Sequence, residues 1–246
     1  MNPSVLFIGG MDSSGGAGLL RDCASAAALG VTARVAVTAV TAQTDRSVSA
    51  IHPVPPAEVV AQIRAAGPVR AVKIGMLGTA RLVAAVAESL PDVPVVLDPV
   101  LAASSGRTLL EEAAIGTLLA QLVPRVFVMT PNLPELEILG GAAGVPPGRA
   151  EADRVTALLA AGCGSVLVKG GHADPAGGIC EDRLHLPGAG VVPFRGPRHP
   201  GSLRGTGCQL ASGIAAGLAA GHDLRSAIAA SRDLVETRFR ARLAEA

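Results

Sequence analysis

The stretch Val93-Pro94-Val95-Val96-Leu97-Asp98-Pro99-Val100 decides how this chain reads as a fold. Its apolar residues lack the alternation of a half-wetted strand, so residues 93–97 read as a strand covered on both faces. Working outward, runs of the same kind recur at 5–8, 71–74, 126–129 and 166–168, and 31–42 is rich in β-branched residues. Gly9-Gly10 closes the first of these runs. Between them lie segments with helical spacing at 19–29, 55–66, 80–90, 109–122, 135–139 and 150–161. The clearest has Pro56 near its start and Val59, Val60 and Ile63 on one face. Residues 179–196 read as two shorter strands around Pro187-Gly188-Ala189-Gly190, and two helices close the chain. Buried strands alternating with helices imply an α/β protein with a mainly parallel central sheet. No repeat or low-complexity linker interrupts the pattern, so residues 1–246 read as one domain.

Bulk numbers exclude several function classes. With 246 residues, 49% of them hydrophobic and 17% charged, one sizeable core is affordable. A formal net charge of +1 advertises neither nucleic acid nor an anionic membrane surface. No apolar run of membrane-spanning length occurs, and no basic segment leads into an apolar one at the N-terminus. The expectation is a soluble cytoplasmic protein with no nucleic-acid or membrane partner. Cys23, Cys163, Cys180 and Cys208 show no C-x-x-C spacing, so reduced thiols are expected. Lys73 and Lys169 are the only lysines in an arginine-rich chain.

In an open parallel sheet, ligands bind beyond the carboxyl ends of the strands. Five such ends carry polar groups: Gly10 to Ser14, Gln43, Asp98-Pro99-Val100, Thr130-Pro131-Asn132 and Lys169-Gly170-Gly171-His172. A sixth feature, Gly205-Thr206-Gly207-Cys208, opens a helix with Leu210, Ile214 and Leu218 on one face. Unpaired N–H groups and a positive dipole at a helix start suit an anion, and glycines let it come close. An ordinary Gly-rich turn before a buried helix has the same appearance. Cys208 in that first turn is expected to have a lowered pKa, as nucleophile, general base or packed filler. The other three cysteines read as buried fillers. Asn132 and Glu135, three apart, suit both a capped helix start and Mg²⁺ held through waters and phosphates. Lys169 can meet phosphates as a point charge, whereas Lys73 reads as structural, paired with a carboxylate. His172 reads as a nucleotide contact or as a plain surface residue. No G-x-x-x-x-G-K-[ST] occurs, which rules out a P-loop.

Taken in order, these motifs resemble a known family. Gly10-Met11-Asp12-Ser13-Ser14-Gly15-Gly16-Ala17-Gly18 with Asp22 is similar to its opening G-[TS]-D-P-S-G-G-A-G and following aspartate. Lys73-Ile74-Gly75-Met76-Leu77, Leu97-Asp98-Pro99-Val100, Thr130 to Glu135, Lys169 to His172 and Gly205 to Cys208 follow in sequence. The pattern is that of the hydroxymethylpyrimidine/phosphomethylpyrimidine kinases of thiamine biosynthesis, and spans roughly residues 4–240. The resemblance implies a ribokinase-like three-layer α/β/α sandwich with no separate lid domain. It implies MgATP-dependent phosphorylation of 4-amino-5-hydroxymethyl-2-methylpyrimidine and then of its monophosphate. It places Gln43 on the pyrimidine edge, with Gly10, Ala17, Asp22, Met76 and Val100 shaping the pocket. It sets Asp98 and Glu135 around Mg²⁺ with Asn132 nearby, Lys169 and His172 towards ATP, and Cys208 beside the reacting hydroxyl. Gly205, Thr206 and Gly207 would cradle the transferred group. Analogy with lidless relatives implies a homodimer.

Several residues depart from the pattern. Met11 stands for a small hydroxyl residue, Ser13 for proline, Ser104 for a lysine and Arg204 for a histidine. Thr44-Asp45 replaces the usual Asn-Thr. A pyridoxal kinase shares the G-T-G-C motif and stays open as an alternative. So does a non-catalytic pyrimidine-binding protein.

Overall fold

The computed structural model describes residues 2–103, 105–171 and 178–244, and of His172 the backbone alone. Nine strands form one sheet in the order β3-β2-β1-β4-β5-β6-β7-β8-β9. They are β1 (Ser4–Asp12), β2 (Thr32–Gln43), β3 (Val48–Pro53), β4 (Ala71–Ile74), β5 (Val95–Leu97), β6 (Val128–Met129), β7 (Val166–Val168), β8 (Ile179–His185) and β9 (Val191–Pro197). The run β2-β1-β4-β5-β6-β7 is parallel throughout. Antiparallel β3 closes one edge, and the β8–β9 hairpin closes the other. The helices are α1 (Gly18–Ala28), α2 (Pro56–Ala65), α3 (Ala80–Ser89), α4 (Glu112–Thr117), α5 (Leu133–Ala142), α6 (Glu151–Ala160), α7 (Thr206–Ala219) and α8 (Leu224–Ala244).

Strand alternation divides the core between two faces. Leu6, Ile8, Val72, Ile74, Val95 and Leu97 meet the helices that connect the parallel strands from β2 to β7. Val5, Phe7, Ala71, Val96 and Val128 point the other way, onto α1, α7 and α8. The reading of a strand covered on both faces holds for residues 95–97, where β5 is buried throughout, while Val93 and Pro94 precede the strand half-buried.

Three details differ from the sequence reading. Gly9-Gly10 does not end β1; the strand slips register between those two glycines and continues to Asp12. The single helix expected at 109–122 is the short α4, then a π-turn (Leu118–Leu122) and a 3-10 turn (Val123–Arg125). Pro124, which has no N–H for an α-helical bond, falls in the last of these. Strand β3 has no counterpart among the expected elements. It is a mostly exposed edge strand, so it carries little hydrophobic signal.

Lys73 occupies a position of β4 that faces α1 and α7, where neighbouring Ala71 is core. Its ammonium donates to both carboxylate oxygens of Asp22 on α1, at 3.0 and 2.8 Å, and the two side chains are 1% and 0% exposed. Burial works against the Lys73 charge, but Asp22, with Cys208 and Asp98 beyond it, offsets this and holds the pKa above the ordinary lysine value. Removing one partner of such a pair leaves a buried unpaired charge, a loss of about 3–5 kcal/mol. Lys73→Met is therefore expected to destabilise the protein by about that much in chemical denaturation. The double variant Lys73→Met/Asp22→Leu is expected to recover most of the loss. Equal stability of wild type and the single variant would show that the pair holds nothing.

Candidate active site

The carboxyl ends of the parallel strands open into one cavity of about 880 Å³. All five strand-end groups contribute to it or support it, and so does the start of α7. Gly10, Ala17, Asp22, Gln43, Met76 and Val100 lie on its wall, as do Asp98, Asn132, Glu135 and Lys169. His172 is the exception: its side chain lies outside the described residues, as does Ser104.

Two backbone contacts fix the shape of the cavity end at the start of α7. Gly18 has φ +60°, and a side chain there would start 2.3 Å from the Gly10 carbonyl. Gly205, at φ +72°, would drive a side chain to 2.2 Å from the Gly16 carbonyl. The loop before α1 and the loop before α7 thus touch backbone to backbone. Among the described residues no side chain caps α7, so its first-turn N–H groups keep hydrogen-bonding capacity towards the cavity. Gly207 brings this helix start against the charged floor. A Cβ there would lie 3.3 Å from Lys169 Nζ and 3.7 Å from Asp98 Oδ2.

Lys169 donates to Asp98 at 2.8 Å and lies 3.6 Å from Glu135. Burial opposes its charge, yet these carboxylates hold its pKa above the usual lysine range. Burial likewise pushes the Glu135 carboxyl up, against the pull of Lys169. Asn132 and Glu135 cap α5 reciprocally, each backbone N–H meeting the other's side chain at 2.8 Å. The cap orients Glu135 towards Lys169, so the structural and functional readings of this pair coincide. Across the floor, three carboxyl groups, Asp22, Asp98 and Glu135, face two ammonium groups, Lys73 and Lys169.

Cys208 corrects the sequence reading. It sits in the first turn of α7 as expected, but its thiol is pushed up to about 11 rather than lowered. Enclosure by the cavity wall is the largest cause, Lys73 pulls the other way, and Asp98 and Asp22 add to the rise. Cys208 itself is half-buried on the cavity wall, and burial of the thiol is the largest of the effects that push it up. Buried Cys163, remote from any such helix start, also reaches about 11, and its filler reading stands.

Sequence reasoning missed two things. Asp12 is 3% exposed and gathers a whole loop, accepting from Ser14 N–H, Ser14 hydroxyl and Ala17 N–H at 2.8–2.9 Å. The cavity also extends beyond Lys169 to β9 and α8, where His199 stacks on Phe239 with ring centroids 5.3 Å apart. Arg232, Val235 and Phe239 recur at helical spacing on one face of α8, and that spacing was the available signal.

The comparisons with known proteins agree with this geometry. A family model described as phosphomethylpyrimidine kinase matches residues 12–245. The hydroxymethylpyrimidine/phosphomethylpyrimidine kinase of Mycobacterium bovis is 42% identical over 236 residues, covering 92% of this chain and 84% of that protein. The crystal structure of phosphomethylpyrimidine kinase from Clostridium difficile 630 matches with a TM-score of 0.80 at 30% identity, covering 96% of this chain and 99% of the other. The pyridoxal kinase from Staphylococcus aureus in complex with pyridoxal matches at 0.85 with 25% identity, covering 98% of this chain and 88% of that one. These likenesses bear out the ribokinase-like sandwich that the motif order implied. With the match running through nearly the whole sequence, the chain belongs to the phosphomethylpyrimidine kinase family.

Proposed function

We propose that this protein is a MgATP-dependent kinase that phosphorylates 4-amino-5-hydroxymethyl-2-methylpyrimidine and then its monophosphate, for thiamine biosynthesis. The observation that carries the reading is the uncapped start of α7 lying against the Asp98–Lys169 pair, at one end of a cavity walled by Gln43. Phosphoryl transfer asks for positioning and charge neutralisation, and that end supplies both. The new bond joins the hydroxymethyl oxygen to the γ-phosphorus, the bond to the bridging oxygen of ADP breaks, and the hydroxyl proton leaves late. N–H groups of Gly205 to Cys208 hold the oxygens of the moving group, and Lys169 meets the nucleotide phosphates, with Asn132 beside them.

The donor set fits Mg²⁺. Among the described residues no cluster of three or more metal-ligating side chains occurs. Asp98 and Glu135 instead offer hard oxygens, which suit an ion that takes its other ligands from phosphates and water. Bound there, the ion would neutralise phosphate charge and orient the phosphates for in-line transfer.

Thr41 explains the base preference. Its hydroxyl lies 3.0 Å from the Met11 carbonyl and 3.1 Å from Gln43 Oε1. One proton serves one acceptor, and the Met11 carbonyl can only accept. Both contacts are satisfied when Gln43 turns its amide nitrogen to Thr41 and its carbonyl to the cavity. An acceptor there suits the exocyclic amino group of the aminopyrimidine, which pyridoxal lacks. Met76, whose sulfur would lie 3.0 Å from a Cβ on Gly10, closes the opposite wall with Ala17, Asp22 and Val100 nearby. The higher TM-score to a pyridoxal kinase makes phosphorylation of pyridoxal the second reading.

The same proposal makes the protein one cytoplasmic domain acting as a homodimer. No helix among the described residues is long and apolar enough to cross a membrane. Val35 and Val40 on β2, 41% and 47% exposed beside the sheet edge, support a self-association surface.

Purified protein with MgATP is expected to release ADP with the aminopyrimidine alcohol and with its monophosphate, faster than with pyridoxal. Pyrimidine binding without turnover of any of the three would sink the kinase reading. Gln43→Ala is expected to raise KM for the alcohol about tenfold while KM for MgATP stays within about twofold; an unchanged alcohol KM removes Gln43 from the site. We assign Cys208 as the late proton acceptor, working from its thiolate fraction. Below its pKa that fraction grows with pH, so kcat is expected to climb through the alkaline range towards about 11. Cys208→Ser should lose that slope and run at least about tenfold slower. A wild-type rate already flat across that range overturns the assignment.

A further inference from the structure

Four of the five departures from the family pattern meet at one place. Arg204 turns inward, 15% exposed, and its Nη2 donates to Asp12 Oδ2 at 2.9 Å. Its Nη1 faces three acceptors: the Thr44 carbonyl at 2.8 Å, Ser14 hydroxyl at 3.1 Å and Asp45 Oδ1 at 3.1 Å. Ser13 adds a tie of its own, accepting from Gln43 N–H at 3.0 Å and donating to the Gln43 carbonyl at 3.3 Å. Met11 offers its carbonyl to Thr41. Gly16 leaves room for the guanidinium, since a Cβ there would lie 3.2 Å from Nη1. The next residue after Arg204 is Gly205, the cap of α7.

We propose that Arg204 is a positioning residue that straps the Gln43-bearing turn and the Asp12 loop to the start of α7. It thereby sets the distance between the pyrimidine edge and the phosphate cradle. The charges around it separate this role from that of a phosphate ligand standing in for the lysine replaced at position 104. Two carboxylates, Asp12 and Asp45, flank the guanidinium and take up its charge, which leaves it less to offer a phosphate. The Nη1 donors are already taken by three acceptors. Arginine is suited to the strap because a planar fork reaches several acceptors at once, which an ammonium cannot.

The proposal rests on the pyrimidine kinase reading, and three variants test it. Arg204→Ala is expected to raise KM for the aminopyrimidine alcohol about tenfold, with KM for MgATP within about twofold. Arg204→Lys keeps the contact with Asp12, so its thermal midpoint stays near wild type, but most of the KM increase remains because Thr44 and Asp45 are out of reach. Asp45→Asn, at a side chain 85% exposed, is expected to raise the alcohol KM about two- to threefold without changing stability. Amide hydrogen exchange in residues 43–47 should quicken about tenfold or more in Arg204→Ala and Arg204→Lys. If Arg204→Ala does not fold, the other two variants carry the same comparison. A rise in MgATP KM with an unchanged alcohol KM would overturn the strap in favour of a phosphate ligand. So would full recovery by lysine, or unchanged exchange in the turn. Should wild type neither bind nor turn over the aminopyrimidine, the function reading fails, and the exchange measurement still decides the strap.

Discussion

An ammonium group sealed between a strand and a helix underlies the site. Lys73 takes a core position of β4, and Asp22 answers it from α1 with both oxygens. A buried charge tolerates little displacement, because any opening exposes an unpaired ion to a medium that cannot solvate it. This contact fixes α1 against the sheet, and the loop before α1 is fixed with it. That loop follows Asp12, whose carboxylate organises Ser14 and Ala17, and carries Gly16, on which Gly205 rests. Placement of the α7 start therefore descends, contact by contact, from one ion pair in the sheet.

The charged floor follows a related logic at the next strands. Asp98 ends β5, Lys169 follows β7, and Glu135 reaches in from α5 through its cap. Each group is held by backbone geometry that exists for another reason: a strand end or a helix cap. Lys169 sits between two carboxylates that are themselves fixed by these elements. Catalysis by fixed dipoles and charges favours such an arrangement, since reorganisation at the moment of transfer is small.

Much of this was legible in the sequence because it is written in residue type. Continuous apolar runs such as Val95 to Leu97 identify buried parallel strands, and chain order then places Asp98, Asn132 and Lys169 at one edge of the sheet. What stayed hidden depends on balances that residue type does not carry. The helix start argued for an acidic thiol at Cys208, but enclosure of the sulfur proved the larger effect. Strand β3 was invisible because an exposed edge needs no apolar face. Asp12 looked like an ordinary loop aspartate, and nothing in the one-dimensional pattern shows Arg204 reaching back about 190 residues to meet it.

The two glycine contacts carry a consequence for how this molecule can change. At Gly18 and Gly205 the space for a side chain is filled by another segment's backbone, so neither position has a tolerated alternative without moving a loop. That end of the cavity is thus frozen in composition, as a mould whose surface is main chain. Gln43, Met76 and Val100 present side chains instead, and a side chain can be exchanged without rebuilding its loop. New acceptor alcohols are therefore reached by editing one end of the cavity, while the chemistry of transfer is inherited unaltered.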